Sequence, residues 1–410
     1  MTNLFGLLAL FLVATSTALG QGGSFYSVYG MGDVRRSVGA LYEGTAGTSI
    51  ALPSDHGINI VNPALQGMST YTRLQTGYRF SQHQNTLGTA SLAQNNGEID
   101  GLMAMFSVDT AAGVGITLGL VPYSTVNYLA EQPLQRAVDG RTVTGRSTRI
   151  GEGGVSAIVL GSSWRPDPSL YIGASVQPLF GTITLTDQVT IAGEGNLSMT
   201  QIISYDVRGV LFRAGMYWKA TNDLSVGAVM SAGGDGSVVS SFRAAGFRPG
   251  AISFDTITTR TSSSGLPVTF GLGLNYALGR TRLAADVELA DYSNVRVHNV
   301  EGVTLGTALR STVGITRPGS TTVGADFFDR VGLHAGAGFQ QSYFRVNGQQ
   351  TTEVFGSAGF DFPLGGAATV DAAIQGGLRS GITGGLEDLF MRMFVTLSIG
   401  EVWFKPFARD

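Results

Sequence analysis

Residues 114–120 read VGITLGL. Val114, Ile116, Leu118 and Leu120 share one face of an extended chain; Gly115, Thr117 and Gly119 share the other. Successive side chains of a strand point to opposite faces, so one side here is wholly apolar and the other small or polar. The same period of two recurs along the chain. Thr70, Thr72, Leu74, Thr76, Tyr78 and Phe80 oppose Arg73, Gln75, Arg79 and Ser81. Leu283, Ala285, Val287 and Leu289 oppose Ala284, Asp286, Glu288 and Ala290. Phe394, Val395, Leu397 and Ile399 belong to the last such segment. Alternating segments of about ten residues with a polar or glycine second face are the signature of a transmembrane β-barrel. A soluble sandwich would show shorter strands and bury its apolar faces inward.

Composition agrees. Charged residues are 13% of the 410, against about 25% in ordinary soluble proteins. Glycine, at 59 residues, is about twice its usual share, while the apolar fraction is ordinary. Much of the surface is therefore expected to lie out of water. A net charge of −3 excludes the basic face that nucleic-acid binding needs. Cysteine is absent, so there is neither a disulfide nor a cysteine for lipid anchoring.

Residues 1–20, MTNLFGLLALFLVATSTALG, read as a secretory signal peptide. Leu4–Ala14 is the apolar core, and Ala18 and Gly20 are small residues placed for cleavage before Gln21. The α-amino group is the only positive charge ahead of the apolar run. After it comes a stretch with no period at all. Ser24–Leu65 carries Gly30, Gly32, Gly39, Gly44, Gly47 and Gly57 and closes on Asn62-Pro63-Ala64-Leu65. Glycines at that density let a backbone bend and sit close against other backbone. Pro63 fixes its own φ and pushes Asn62 towards an extended conformation. The expected division is a signal peptide over 1–20, a hatch folded into the lumen over 21–68, and an all-β transmembrane antiparallel barrel over 69–410. The expected location is the outer membrane of a Gram-negative bacterium.

Barrels of this kind alternate short periplasmic turns with longer outer loops. Short turns are expected near Asp109–Ala112, Arg165–Pro168, Ala220–Asp223, Gly279–Arg280, Gln340–Ser342 and Pro363–Gly366. Longer outer connections are expected near Ser124–Gly153, Thr182–Tyr205, Gly234–Gly265, Asn294–Phe328 and Ser380–Asp388, with two more around Gln82–Gly97 and Asn347–Gln350. This sums to about 14 strands. Tyr123, Tyr171, Phe180, Tyr217, Trp218, Tyr276, Tyr292, Phe339, Trp403 and Phe404 are expected to point outward as interfacial girdles.

No catalytic, cofactor or metal signature stands out. His56, His83, His298 and His334 have no second ligand at metal-binding spacing, and no G-x-S-x-G elbow is present. Gly271–Gly273 and Gly336–Gly338 read as small inward strand residues rather than nucleotide loops. Arg141, Arg146 and Arg149 in the segment Gly140–Glu152 form either a solvated loop or a contact for anionic lipopolysaccharide. Asp286, Glu288 and Asp291, beside Arg280 and Arg282, read as inward charges that either pair across strands or line a lumen, with pairing the favoured role.

Ser24-Phe25-Tyr26-Ser27-Val28-Tyr29-Gly30-Met31-Gly32-Asp33 resembles the start of the shorter members of the FadL-like outer-membrane transport family. Asn62-Pro63-Ala64 matches that family's NPA box, and Gly119-Leu120-Val121-Pro122-Tyr123-Ser124 its G-x-x-P-Y-S strand end. Leu266-Pro267, Gly271-Leu272-Gly273-Leu274-Asn275-Tyr276, Ala285-Asp286 and Asp291-Tyr292 resemble its central hairpin, and Gly400-Glu401-Val402-Trp403-Phe404-Lys405 its ending. The acidic run that commonly precedes the NPA box is replaced here by Pro53-Ser54-Asp55-His56-Gly57.

The resemblance implies passive uptake of hydrophobic small molecules, fatty acids or hydrocarbons, by binding between hatch and wall and lateral release. Asn62, Pro63 and Ala64 are then the joint of the hatch. Pro122, which cannot donate to a ladder, marks with Tyr123 and Ser124 where a wall opening is expected. Outer-membrane lipid and lipopolysaccharide are the expected surroundings. The alternative is a non-transporting accessory barrel, similar to PorV-like relatives, with a protein partner in a secretion or outer-membrane assembly complex. The glycine-rich inner face, without an aromatic ligand pocket, motivates it.

Overall fold

The computed structural model describes residues 20–138, 141–192, 197–248, 251–297, 300, 302–320, 322, 324–382 and 385–403. The segment expected to be the signal peptide lies almost wholly outside them, as do His298 and Phe404. The first strands are short: β1 (Gly20–Gln21) and β2 (Asp33–Val34), followed by helix α1 (Ala40–Gly44). The wall begins with β3 (Thr72–Leu87), β4 (Ala90–Asp109), β5 (Val114–Thr125), β6 (Tyr128–Val138) and β7 (Arg141–Asp167). It continues with β8 (Leu170–Ala192), β9 (Leu197–Lys219), β10 (Leu224–Gly233), β11 (Gly236–Arg248), β12 (Ala251–Ser264), β13 (Val268–Leu278) and β14 (Thr281–Asp291). After β15 (Val303–Leu305) and β16 (Thr307–Arg317) come helix α2 (Phe327–Arg330), β17 (Gly332–Val346), β18 (Gln349–Gly365), β19 (Ala368–Ile382) and β20 (Leu386–Glu401).

Fourteen of these strands close a barrel of antiparallel neighbours. The circuit runs β3, β4, β5, β7, β8, β9, β10, β13, β14, β16, β17, β18, β19 and β20, and β20 returns to β3 from Leu386↔Leu87 to Glu401↔Thr72. Strands β6, β11 and β12 are extensions: β6 pairs with the start of β7, and β11–β12 is a hairpin mounted on the start of β9. The segments expected as loops over Gln82–Gly97, Ser124–Gly153, Thr182–Tyr205 and Gly234–Gly265 are thus paired hairpins standing above the barrel. In the first of them Arg146 meets Glu131 and Arg149 meets Asp187.

The expected strand number is right although two of its boundaries are wrong. Gln340–Ser342 is not a turn. It lies inside β17, at a register shift between Gln341 and Arg345. The expected loop Asn294–Phe328 contains a complete wall strand, β16. The outward row of β16 carries polar Ser311 between Leu309 and Val313, opposite Val287 of β14, which breaks the apolar alternation. One false turn and one missed strand cancelled.

The alternation itself orients the wall. Leu102, Leu118, Leu272, Val313, Val354 and Leu389 are exposed on the outer face, as a lipid-facing band requires. Gln75, Thr117, Asp286 and Gln375 are buried on the inner one. All three tryptophans, Trp164, Trp218 and Trp403, are exposed. They stand near one end of the barrel, the end with short turns at 110–113, 168–169, 220–223, 279–280 and 366–367. Short turns mark the periplasmic side, and aromatic girdles mark the interface. Phe180, Tyr276 and Phe339 also face out. Tyr171, Tyr217 and Tyr292 are buried inside, and Tyr123 packs against the interior cluster; these four expectations are corrected. Each carries a hydroxyl that the lumen can satisfy and lipid cannot, as Tyr217 does on Ser225 at 2.9 Å.

Candidate functional site: the filled lumen and the sealed wall

Residues 22–68 lie against the inner face of the barrel and are mostly buried. Their backbone has little regular structure, so its N–H and C=O groups need partners from elsewhere. The wall supplies them. Asp286 accepts from Ser49 N–H at 2.6 Å and Ile50 N–H at 2.8 Å. Gln75 accepts from Ile58 N–H, Thr396 from Ala40 N–H, and Asp100 from Gly39 N–H, all at 2.8–2.9 Å. Arg213, Arg282 and Arg310 donate to the carbonyls of Ile60, Pro53 and Ala46. Asp286 and Arg282 therefore bind this segment's backbone, and Glu288 pairs with the segment's Arg36. Asp291 is exposed.

Asn62, Pro63 and Ala64 form the start of a 3₁₀ turn, Pro63–Met68, that leads into β3. The Asn62 side chain accepts from Ala64 N–H at 3.1 Å. It also donates to Ile50 O at 2.7 Å and to Met216 O of β9 at 2.9 Å. One amide thus ties the turn to itself, to the lumen segment and to the wall. The wall accommodates it by having no side chains there. A Cβ on Gly215 would collide with the Asn62 amide, and one on Gly173 with the Pro63–Ala64 backbone. Gly227 and Gly336 face Ile50 and Thr45 in the same way. The glycine-rich inner face is the imprint of a backbone lying directly on the sheet.

Pro122, Tyr123 and Ser124 sit where the wall divides. The β4–β5 ladder runs from Asp109↔Val114 to Leu102↔Leu120 and goes no further. Two features end it. Asp100 is an extra residue in β4, a bulge before Gly101 at φ 120°. Pro122 has no N–H to give. Above this point the edges of β4 and β5 are occupied by the chain's own N-terminal segment. Gly20 and Gln21 pair in parallel with Gln94 and Asn95 of β4. Asp33 and Val34 pair with Thr125 and Ser124 of β5, and Arg35 N–H donates to Tyr123 O at 2.9 Å.

Arg35 then links the two strands. Its guanidinium meets Glu98 and Asp100 of β4, the latter at 3.3 Å, and donates to Thr125 of β5 at 3.1 Å. Burial and the neighbouring Arg79 pull Arg35 down to about 9, so it stays charged at neutral pH. Arg36 is held above its ordinary value, because Glu288 outweighs the cost of burial.

A cavity of about 120 Å³ remains between this segment and the wall. Its lining includes Arg35, Arg36, Arg79, Arg310, Arg379 and Arg392 with Asp33, Glu43, Glu98 and Glu353. The charges are knitted together: Arg79 to Asp100 at 2.9 Å and Glu43 at 3.0 Å, Arg379 to Glu353 at 2.6 Å and Asp33 at 2.7 Å, Arg392 to Glu353 at 3.2 Å. Where the interface is apolar it is packed solid. Met31, Val38, Ile58, Met103, Val121 and Tyr292 are each at most 3% exposed and belong to one cluster.

Sequence reading did not find these charges as a group, since Arg35 and Asp100 belong to different segments and neither lies in a motif. The three histidines among the described residues also have structural partners. His83 contacts Asp388 at 3.0 Å, His334 contacts Asp361 at 2.7 Å, and His56 meets Asp371 at 3.1 Å.

Solved barrels share this architecture. A Pseudomonas aeruginosa FadL homologue matches at 12% identity over 90% of this chain and 99% of that one, with a TM-score of 0.62. The Pseudomonas putida toluene transporter TodX matches at 15% identity over 90% and 100%, with a TM-score of 0.59. The CymD monoaromatic hydrocarbon channel matches at 14% identity over 90% and 99%, with a TM-score of 0.57. At these identities the likeness is one of fold, and it is the FadL-type barrel fold that the resemblance implied. No curated protein matches the sequence. One family model does, and it spans residues 1–407: the chain belongs to the BamG family.

Proposed function

We propose that this chain is a non-transporting accessory barrel of an outer-membrane assembly complex. One observation carries the reading: the interface between the lumen segment and the wall is packed where it is apolar and charged where it is hollow. An apolar solute gains by leaving water only if it finds apolar surface. Here it would have to displace packed side chains or strip water from paired charges, and the second is costly. The N-terminal segment lies along the β4 and β5 edges, where a lateral exit would run. The name of the family, BamG, supports the assembly reading. In this account the lumen segment is a permanent filling that stiffens the barrel, and the outer wall and tall hairpins are the working surfaces.

Uptake of hydrophobic molecules is the second reading, favoured by the fold shared with hydrocarbon channels and by the divided wall between β4 and β5. The two part in a simple assay. Cells with and without the gene are given a panel of fatty acids and aromatic hydrocarbons. Equal uptake across the panel is expected. Selective loss of one class in cells lacking the gene would overturn the assembly reading.

A further inference from the structure

The short-turn end of the barrel has one long connection, 318–331, between β16 and β17. It carries α2, with Phe327 46% and Phe328 83% exposed, the latter the highest exposure among the large apolar side chains described. A bare phenylalanine at that level is costly in water. The loop does not hang into the periplasm. The Phe327 ring packs on Phe362 at 5.0 Å and on Phe328 at 5.4 Å. Phe362 lies two residues from Phe360 and Leu364, both exposed on the outer, lipid-facing side of β18. Leu333 of β17, 52% exposed, continues that surface. The loop is also held in place. Arg280, in the turn 279–280, donates to Pro318 O at 2.9 Å and to Asp329 O, and Ser320 N–H donates to Asp329 O at 2.6 Å.

We infer that loop 318–331 is a membrane-interface wedge whose Phe327–Phe328 pair inserts into the phospholipid leaflet on the short-turn side. Its occupant is acyl chain, because the pair is continuous through Phe362 with the belt that lipid already covers. The level fits, since Trp164, Trp218 and Trp403 stand at the same end of the wall. The polar groups fit a headgroup layer: Arg280, Arg317 and Arg330 against Asp326 and Asp329, with Arg317 4.0 Å from Asp329. The inference rests on the barrel spanning a membrane and is independent of the assembly reading.

The chain has no cysteine, so a single label can be placed cleanly. Phe328→Cys carries an environment-sensitive fluorophore and the barrel is reconstituted into phosphatidylethanolamine–phosphatidylglycerol vesicles. Leu333→Cys is the lipid-facing control and Thr258→Cys, on the β11–β12 hairpin, the aqueous one. Brominated acyl chains are expected to remove most of the Phe328 emission, as at Leu333, while aqueous iodide leaves it intact. Quenching by iodide as at Thr258, or protection from both quenchers, would overturn the wedge. Phe327→Cys gives the same readout should the first variant fail to fold.

Discussion

The Arg35 guanidinium lies 3.3 Å from the Asp100 carboxylate, across the line where the β4–β5 ladder has ended. Asp100 is also the residue that the β4 bulge adds. The irregularity that ends the ladder therefore presents the carboxylate that holds the lumen segment in its place. Arg35→Ala leaves Glu98 without this partner and Asp100 with Arg79. Breaking a buried pair from one side costs about 3 kcal/mol. The expected result is a lower urea midpoint and a rise in ion leak through reconstituted barrels. An unchanged midpoint and unchanged leak would remove Arg35 from the seal.

The Asn62 side chain makes three hydrogen bonds, donating to two backbone carbonyls and accepting from one backbone N–H. Asn62→Ala is expected to destabilise by about 1–3 kcal/mol, the cost of stranding buried backbone groups. Urea unfolding followed by tryptophan fluorescence measures it.

The imprint of the lumen segment on the wall gives a sharper contrast. Gly215→Ala and Gly173→Ala put a methyl where the Asn62 amide and the Pro63–Ala64 backbone already lie. Each is expected to cost about 1–3 kcal/mol by overpacking. Gly376→Ala, whose nearest neighbour is 3.8 Å away on the lipid face, is expected to stay within about 0.5 kcal/mol of wild type. Equal effects at all three sites would mean that close approach does not explain the glycines.

His56 supplies a pH dependence. Burial alone would lower its pKa, but Asp371 and then Asp361 outweigh burial and raise it above the ordinary value. The contact with Asp371 therefore contributes fully below about pH 6.5, and its contribution is lost as pH rises through the higher folded value. Wild type is expected to exceed His56→Gln in stability at pH 6 and to converge with it in alkaline buffer. A gap that widens with pH would contradict this.

The barrel was legible in the sequence because lipid on one side and a polar interior on the other impose a strict period of two. Val114–Leu120 and Leu283–Ala290 show it without ambiguity, and their inward and outward residues are as expected. It fails where a polar residue interrupts the outward row, as Ser311 does on β16, opposite Val287. It fails again for Tyr171, Tyr217 and Tyr292, whose rings suit a girdle but whose hydroxyls suit the lumen. The lumen itself was less legible. Glycines announced close backbone contact without saying with what. Arg35, Asp100 and Thr125 come together only because the chain returns to the same edge, and no spacing in the sequence encodes that return.

Deleting Phe25–Val61 separates the filling from the frame. Each neighbouring pair of wall strands is laddered without it, the β4–β5 pair as far as Leu102↔Leu120, so a folded barrel that leaks small polar solutes is expected in liposomes. A folded but impermeable barrel would show that something other than this segment closes the lumen.

The assembly reading stands or falls on what travels with the intact chain. The tagged protein is drawn from native membranes in mild detergent, and every co-purified component is identified and counted. The account predicts a stoichiometric complex with other outer-membrane assembly proteins. A monomer carrying a bound hydrophobic small molecule between the lumen segment and the wall would contradict it.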